Sequence, residues 1–295
     1  MAQDSGTRTL ISAAQLRRGP GRVLYWALLT AVVVVFTLVF LGPLYWMVTG
    51  ALKSGQEIAQ TPPTLFPQDP RLRNYVDAWH HLDLAKLLFN TFYYAIGALL
   101  FQLVLDTAAA YSLSKLRPVF GNAILGLMLA TLMIPAMVLI VPQYVTVIDL
   151  PILHVNLLDS PFAIWLPLVA NAFNIFLLKR FFDSIPEDLM AAAQMDGATP
   201  LRTLWSIILP MSRPILGVVS IFAVTAVWKD FLWPKLVMPS PETRTVSVGI
   251  YAFSGGTPMN VVIAASVIAA IPTVVIFLIF QRNIMSGLTT GSIKG

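Results

Sequence analysis

The sequence predicts an all-α, polytopic membrane protein with six transmembrane helices and a cytoplasmic helical hairpin. Three observations predict it. The 295 residues are 57% hydrophobic and only 11% charged, whereas soluble domains carry roughly 25% charged residues. Mean hydropathy is +0.76. The apolar residues also gather into six long stretches, and a ~30 Å hydrocarbon core needs about 20 such residues per crossing.

The six stretches are residues 24–50, 88–113, 121–143, 160–182, 213–238 and 259–281. Lys and Arg concentrate on one side of them. If the N-terminus is cytoplasmic, the inner segments hold Arg8, Arg17, Arg18, Arg22, Lys115, Arg117, Lys179, Arg180, Arg202, Arg213, Arg282 and Lys294. The outer segments hold Lys53, Arg71, Arg73, Lys86 and Arg244, so the basic residues divide twelve to five. The positive-inside rule therefore predicts that both termini are cytoplasmic. The division is residues 1–23 as an N-terminal segment, 24–282 as the transmembrane domain and 283–295 as a C-terminal tail. The first apolar run exceeds a signal-peptide core and is expected to be retained. The +5 net charge lies between apolar runs, so it orients the chain in lipid and implies no nucleic acid. No cysteine is present, which excludes disulfides, thiol nucleophiles and Cys-ligated metals. His80, His81 and His154 fall in outer loops without metal-ligand spacing.

Residues 183–212 are too long for a plain connector. Ser184 and Glu187 have capping-box spacing, with Pro186 between them. PEDLMAAAQM is rich in helix formers, and Gly197 supplies a left-handed stop. Thr199 and Pro200 then open a second helix, expected to break at Pro210. The first helix displays the small residues Ala191, Ala192 and Ala193, and its first-turn charges, Glu187 and Asp188, are acidic. That suits close approach of another protein better than an anionic lipid surface.

Polar residues inside spans form the second group of candidates, because ionisable groups in hydrocarbon are costly. Gln102 and Asp106 sit one turn apart in span two, where they either line a pathway or fix packing. Asn171 and Asn174 have helix-face spacing, and Asn amides suit sugar hydroxyls. Trp228 and Asp230, beside Lys229, Phe231 and Trp233, combine aromatic and polar groups in the manner of a sugar site or of an interfacial belt. Pro135 and Pro272 are expected kink points.

Residues 185–214, IPEDLMAAAQMDGATPLRTLWSIILPMSRP, resemble the "EAA" loop of ABC-importer membrane subunits, and the carbohydrate-uptake, maltose-type permeases in particular. Asp196, Gly197, Ala198, Leu209 and Pro210 carry the match. Further resemblances are Asn74–Tyr75, Asn90, Ala109–Ala110–Tyr111, Ile134–Pro135, Trp228, Asp230, Phe231 and Pro234, and the tail Gly287–Leu288–Thr289–Thr290–Gly291 with Lys294–Gly295. The glutamate that names the motif aligns with Ala191, and the asparagine that usually follows the span-five Trp is Lys229.

The resemblance implies a sugar-importing permease subunit in a bacterial or archaeal plasma membrane. It implies that Glu187, Asp188, Ala191, Ala192, Ala193, Asp196, Gly197, Ala198, Leu209 and Pro210 form the ATPase-coupling surface. It implies a second permease subunit, two ATPase subunits and an extracellular sugar-binding protein as partners. No GxxxxGK[ST] loop occurs, so ATP and Mg²⁺ are expected on the partner ATPases, with no cofactor, metal or covalent chemistry on this chain. A permease for a non-sugar solute and an ion-coupled secondary transporter are the alternatives; the latter would usually show repeated spans, and none is visible.

Overall fold

The computed structural model describes residues 19–289, with side chains from 22 to 280. Arg8, Arg17, Arg18 and Lys294, which weigh in the charge asymmetry, lie outside the described residues. So does the end of the tail from Thr290 to Gly295, and the side chain of Arg282 is likewise outside. Among the described residues the regular elements are all helical.

Three helices are continuous and apolar enough to cross a membrane: Gly19–Leu52, Leu84–Tyr111 extended by a π turn at Ser112–Leu116, and Met259–Thr289. Pro272 sits inside the last of these without ending it. Three further apolar segments are broken, which brings the possible crossings to six.

The third bent pair joins Pro200–Met211 to Arg213–Lys229 at 84°, and breaks inside expected spans three, four and five correct the expectation of a single helix in each. Expected span three is two helices, Gly121–Thr131 and Ala136–Ile148, bent by 103°. Pro135 lies at this bend, lacks an N–H and holds an extended ψ of 127°. Expected span four is Phe162–Leu168 and Ala172–Asp183, bent by 49°. Expected span five ends early, at Lys229; Asp230 is extended, and a short helix, Leu232–Val237, follows.

Indole N–H groups pin the interior. Trp165 donates to the Tyr94 carbonyl at 3.0 Å, Trp233 to Ala163 at 2.9 Å and Trp228 to Ala269 at 3.1 Å. Trp165 packs closely on span two at Gly97, where a Cβ would sit 2.2 Å from the ring. Tyr93, Phe101 and Phe162 pack around the same indole, so the ring has nowhere to retreat.

The end of the bundle remote from the hairpin is held by polar contacts. Asn74 donates to the carbonyls of Ala51 and Lys53 at 2.8 and 2.9 Å, and accepts from Asn260 at 2.9 Å. One buried amide thus ties spans one and six to the helix Arg73–His81. Asn90 donates to the Glu242 and Arg244 carbonyls. Asp159, in the left-handed region at φ 58°, receives the Ser240 N–H at 3.0 Å, the Ser240 hydroxyl at 2.8 Å and the Thr243 hydroxyl. Burial pushes the Asp159 carboxyl up, but the Thr243 and Ser240 hydrogen bonds, with Arg244 nearby, outweigh it and hold the group below its ordinary value.

Two outcomes are expected. Gly97→Ala forces Trp165 off its seat and destabilises the purified protein by about 1–3 kcal/mol, the usual range for overpacking; Trp165→Phe in the same chain recovers part of the loss, read by thermal unfolding in nanodiscs. Asp159→Asn keeps a residue tolerant of positive φ but removes the charge. A carboxylate with a depressed value adds stability above its unfolded titration range and loses it as pH falls through its folded value. The variant should therefore melt below wild type at neutral pH, and the gap should close as pH falls below roughly 4.

Candidate functional site

The break in span four builds a polar centre near the middle of span two. Asn171 is non-helical (φ −109°, ψ 112°) and caps the helix Ala172–Asp183, its side chain accepting the Asn174 N–H at 3.1 Å. Asn171 therefore does not share a helix face with Asn174; it turns back onto that residue's backbone. Its own N–H donates to Asp106 Oδ1 at 2.9 Å. A fully buried carboxyl group thus sits at the N-terminal, positive end of a helix. The Asn174 amide donates to Gln102 Oε1 at 3.2 Å, and both residues are buried. Gln102, Asp106, Asn171 and Asn174 form one network joining spans two and four.

A cleft of about 330 Å³ opens on this network. Gln102, Asn171, Phe173 and Asn174 form one wall, and Phe222, Thr225, Ala226 and Lys229 of span five form another. Phe173 and Phe222 approach with ring centroids 6.0 Å apart and are partly exposed. Amides beside aromatic faces can bond the hydroxyls and stack the C–H faces of one solute.

Trp228 and Asp230 do not line the cleft. The Trp228 ring is buried against span six. Asp230 Oδ1 accepts the Trp233 N–H at 3.4 Å, across the break that ends span five. Sequence reasoning missed Phe173, Phe222 and Thr225 as cleft residues. The available signal was the spacing of 222, 225, 226 and 229, which places all four on one helical stripe.

The hairpin is present, with corrections. Its first helix is Glu187–Met195, and no side chain caps it. Ser184 forms no capping box; its hydroxyl donates back to the Phe181 carbonyl at 2.6 Å and closes the preceding helix instead. Gly197 takes φ 71°. The N–H groups of Gly197 and Ala198 bond the Gln194 and Ala193 carbonyls at 3.0 and 2.9 Å, which is the Schellman stop. Thr199 caps the second helix through the Arg202 N–H.

That second helix does not break at Pro210. It widens to a π turn at Leu204–Ile208, which makes room for the proline ring, and continues to Met211. It then meets the helix Arg213–Lys229 at 84°. Ala191 and Ala192 are exposed, whereas Ala193 is buried. Glu187 pairs with Arg117, while Asp188 and Asp196 are exposed on the hairpin surface.

A clasp joins the hairpin to span two. Lys115 donates to the Ile185 carbonyl at 2.8 Å, and Ser114 to Asp183 at 2.7 Å. Lys179 meets the other Asp183 oxygen at 2.8 Å. Leu204 and Ile208 of the hairpin pack in one cluster with Tyr111, Leu178, Phe182 and Ile215. The hairpin is therefore bonded to span two and packed against spans four and five.

Broken apolar helices around a polar cleft, with a hairpin locked to the same helices, define a membrane permease. Residues 106–289 match the family described as the binding-protein-dependent transport system inner membrane component. The chain belongs to that family, and it is a membrane-embedded permease of the ABC-importer type. It is 33% identical to the sulfoquinovosyl glycerol transport system permease protein SmoH of Agrobacterium fabrum, over 86% of this chain and 89% of the relative. It is 28% identical to the arabinooligosaccharides transport system permease protein AraQ of Bacillus subtilis, over 95% and 100%. Its fold is similar to a chain of a bacterial ABC transporter that imports the acidic polysaccharide alginate, with a TM-score of 0.79, 23% identity, and 90% of this chain and 98% of that chain covered.

Asp106→Ala is expected to destabilise the protein by about 2–3 kcal/mol, because it strands the Asn171 N–H in the interior. Asp106→Asn keeps an acceptor and should recover most of that loss in thermal unfolding.

Proposed function

We infer that this chain forms part of the translocation pathway of a sugar importer and works by alternating access. The cleft at the span-four break carries the reading: Asn171, Asn174 and Gln102 offer amides while Phe173 and Phe222 offer ring faces, near the middle of the spans. Discontinuous helices at the membrane midplane are where transporters hold their solutes. The named relatives are permease proteins of sulfoquinovosyl glycerol and arabinooligosaccharide transport systems, which supports the same reading.

The other permease half, two ATPases and an extracellular sugar-binding protein complete the importer. Both termini and the 183–212 hairpin face the cytoplasm of a bacterial cell, in keeping with the basic residues there. ATP and Mg²⁺ bind the partner ATPases, and this chain carries out no covalent step.

Glu187, Asp188, Ala191, Ala192, Ala193, Asp196, Gly197 and Ala198 belong to the hairpin end that docks on an ATPase, with Leu209 and Pro210 joining it to span five. Closure of the ATPases pulls on the hairpin. The Lys115, Ser114 and Asp183 clasp passes that motion to spans two and four, and the 84° bend passes it to span five. Within the docking surface Asp188 replaces the acid missing at Ala191, since Glu187 is already held by Arg117. Asn171 and Asn174 contact the sugar. Trp228 and Asp230 support the pathway from behind by fixing the span-five break.

The assembled importer, reconstituted in proteoliposomes with its binding protein, should accumulate labelled sugar only with ATP inside the ATPase compartment. Asp188→Ala should lower sugar-stimulated ATP hydrolysis about tenfold, comparable to a lost charge-assisted contact, with assembly and basal thermal stability retained. Uptake by this chain without an ATPase overturns the reading; unchanged coupling in Asp188→Ala removes the role given to that residue.

A further inference from the structure

Lys229 ends the cleft-facing stripe of span five. Phe222, Thr225, Ala226 and Lys229 recur at helical spacing, and all four line the cleft. Lys229 is exposed there, and it takes part in none of the ion pairs or side-chain hydrogen bonds found among the described residues. The neighbouring acids are turned elsewhere. Asp106 lies behind the wall on the Asn171 N–H, and Asp230, close enough to feel the Lys229 charge, forms no ion pair with it and directs its Oδ1 to the Trp233 N–H. Position in the last turn of its helix favours a cation, which explains how the charge is tolerated, but not why it faces a sugar-sized cleft. Unpaired ionisable groups at membrane depth normally face a pathway and a counter-charge.

We propose that the transported solute is an anionic sugar or sugar derivative and that Lys229 receives its acidic group. This rests on the sugar-importer reading and narrows it. The carboxylate, sulfonate or phosphate sits over Lys229, while the hydroxyls reach the Asn171, Asn174 and Gln102 amides and one face of the ring packs against the Phe173–Phe222 pair. Thr225 donates its own proton to the Ile221 carbonyl at 2.7 Å, so toward the cleft it offers only an acceptor, for a sugar hydroxyl rather than for the anion.

The test uses the complete importer in proteoliposomes, with ATP. Initial uptake of a uronate disaccharide, a sulfosugar glycoside and a sugar phosphate is compared with that of each uncharged parent, for wild type, Lys229→Arg and Lys229→Met. Wild type should favour at least one anionic probe over its parent. Lys229→Met should slow that probe by roughly tenfold or more, the scale of one charge-assisted hydrogen bond, and slow the uncharged parent by a much smaller factor. Lys229→Arg should keep most of the rate, and the three acid types separate which anion is preferred. Preference of wild type for the uncharged parents overturns the proposal, as does equal slowing of both classes by Lys229→Met, and either result leaves sugar import standing. ATP-driven uptake of neither class refutes sugar import itself and this proposal with it.

Discussion

Hydrocarbon offers no hydrogen bonds, so any break in a spanning helix must bring partners for the backbone it frees. This constraint decides where the chain can depart from regular helix. At the span-four break Asp106 takes the Asn171 N–H and Asn171 takes the Asn174 N–H. At the span-five break Asp230 takes the Trp233 N–H. The indoles of Trp165, Trp228 and Trp233 do the converse work, since each donates to a carbonyl on another helix. Polar residues that look misplaced in an apolar sequence are in large part the groups that make irregular backbone tenable.

The cleft follows from the breaks. A straight fourth helix would carry Asn171 and Asn174 as two surface amides. Interrupted, it exposes a helix start, turns Asn171 back on itself and leaves Phe173 facing Phe222 of span five. The wall nearest span two is rigid, because Gln102, Asp106 and Asn174 are buried and mutually bonded. The wall on span five is a single helical stripe ending in Lys229. Solute contacts and structural hydrogen bonds therefore share residues, and loss of an amide such as Asn174 affects both.

The hairpin shows the same economy at the other end. Its connection to the spans is polar where it meets span two, through Ser114, Lys115 and Arg117, and apolar where Leu204 and Ile208 enter the core. The π turn at Leu204–Ile208 lets Pro210 remain inside the helix, so the segment stays stiff up to the bend at Ser212. A stiff element clasped at both sides can transmit force, and a frayed loop cannot. With Glu187 held by Arg117, Asp188 and Asp196 are the exposed acids of the hairpin surface.

The sequence by itself determined the membrane class, the number of apolar segments, the hairpin with its Gly197 stop and Thr199 cap, and the kinship with importer permeases. These follow from composition, from local propensity and from backbone demands that act over a few residues. It also singled out Gln102, Asp106, Asn171 and Asn174 as polar residues at membrane depth. Only the tertiary structure decided which of them bond one another, that Trp228 turns to span six while Lys229 turns to the cleft, that Glu187 is held by Arg117, and that Ser184 closes the helix before it. Apart from the local turns at Ser184 and Asn171, those outcomes depend on partners far away in the chain, brought near by packing. Spacing along one helix gives a side chain's face, but it does not say what the other helices place opposite that face.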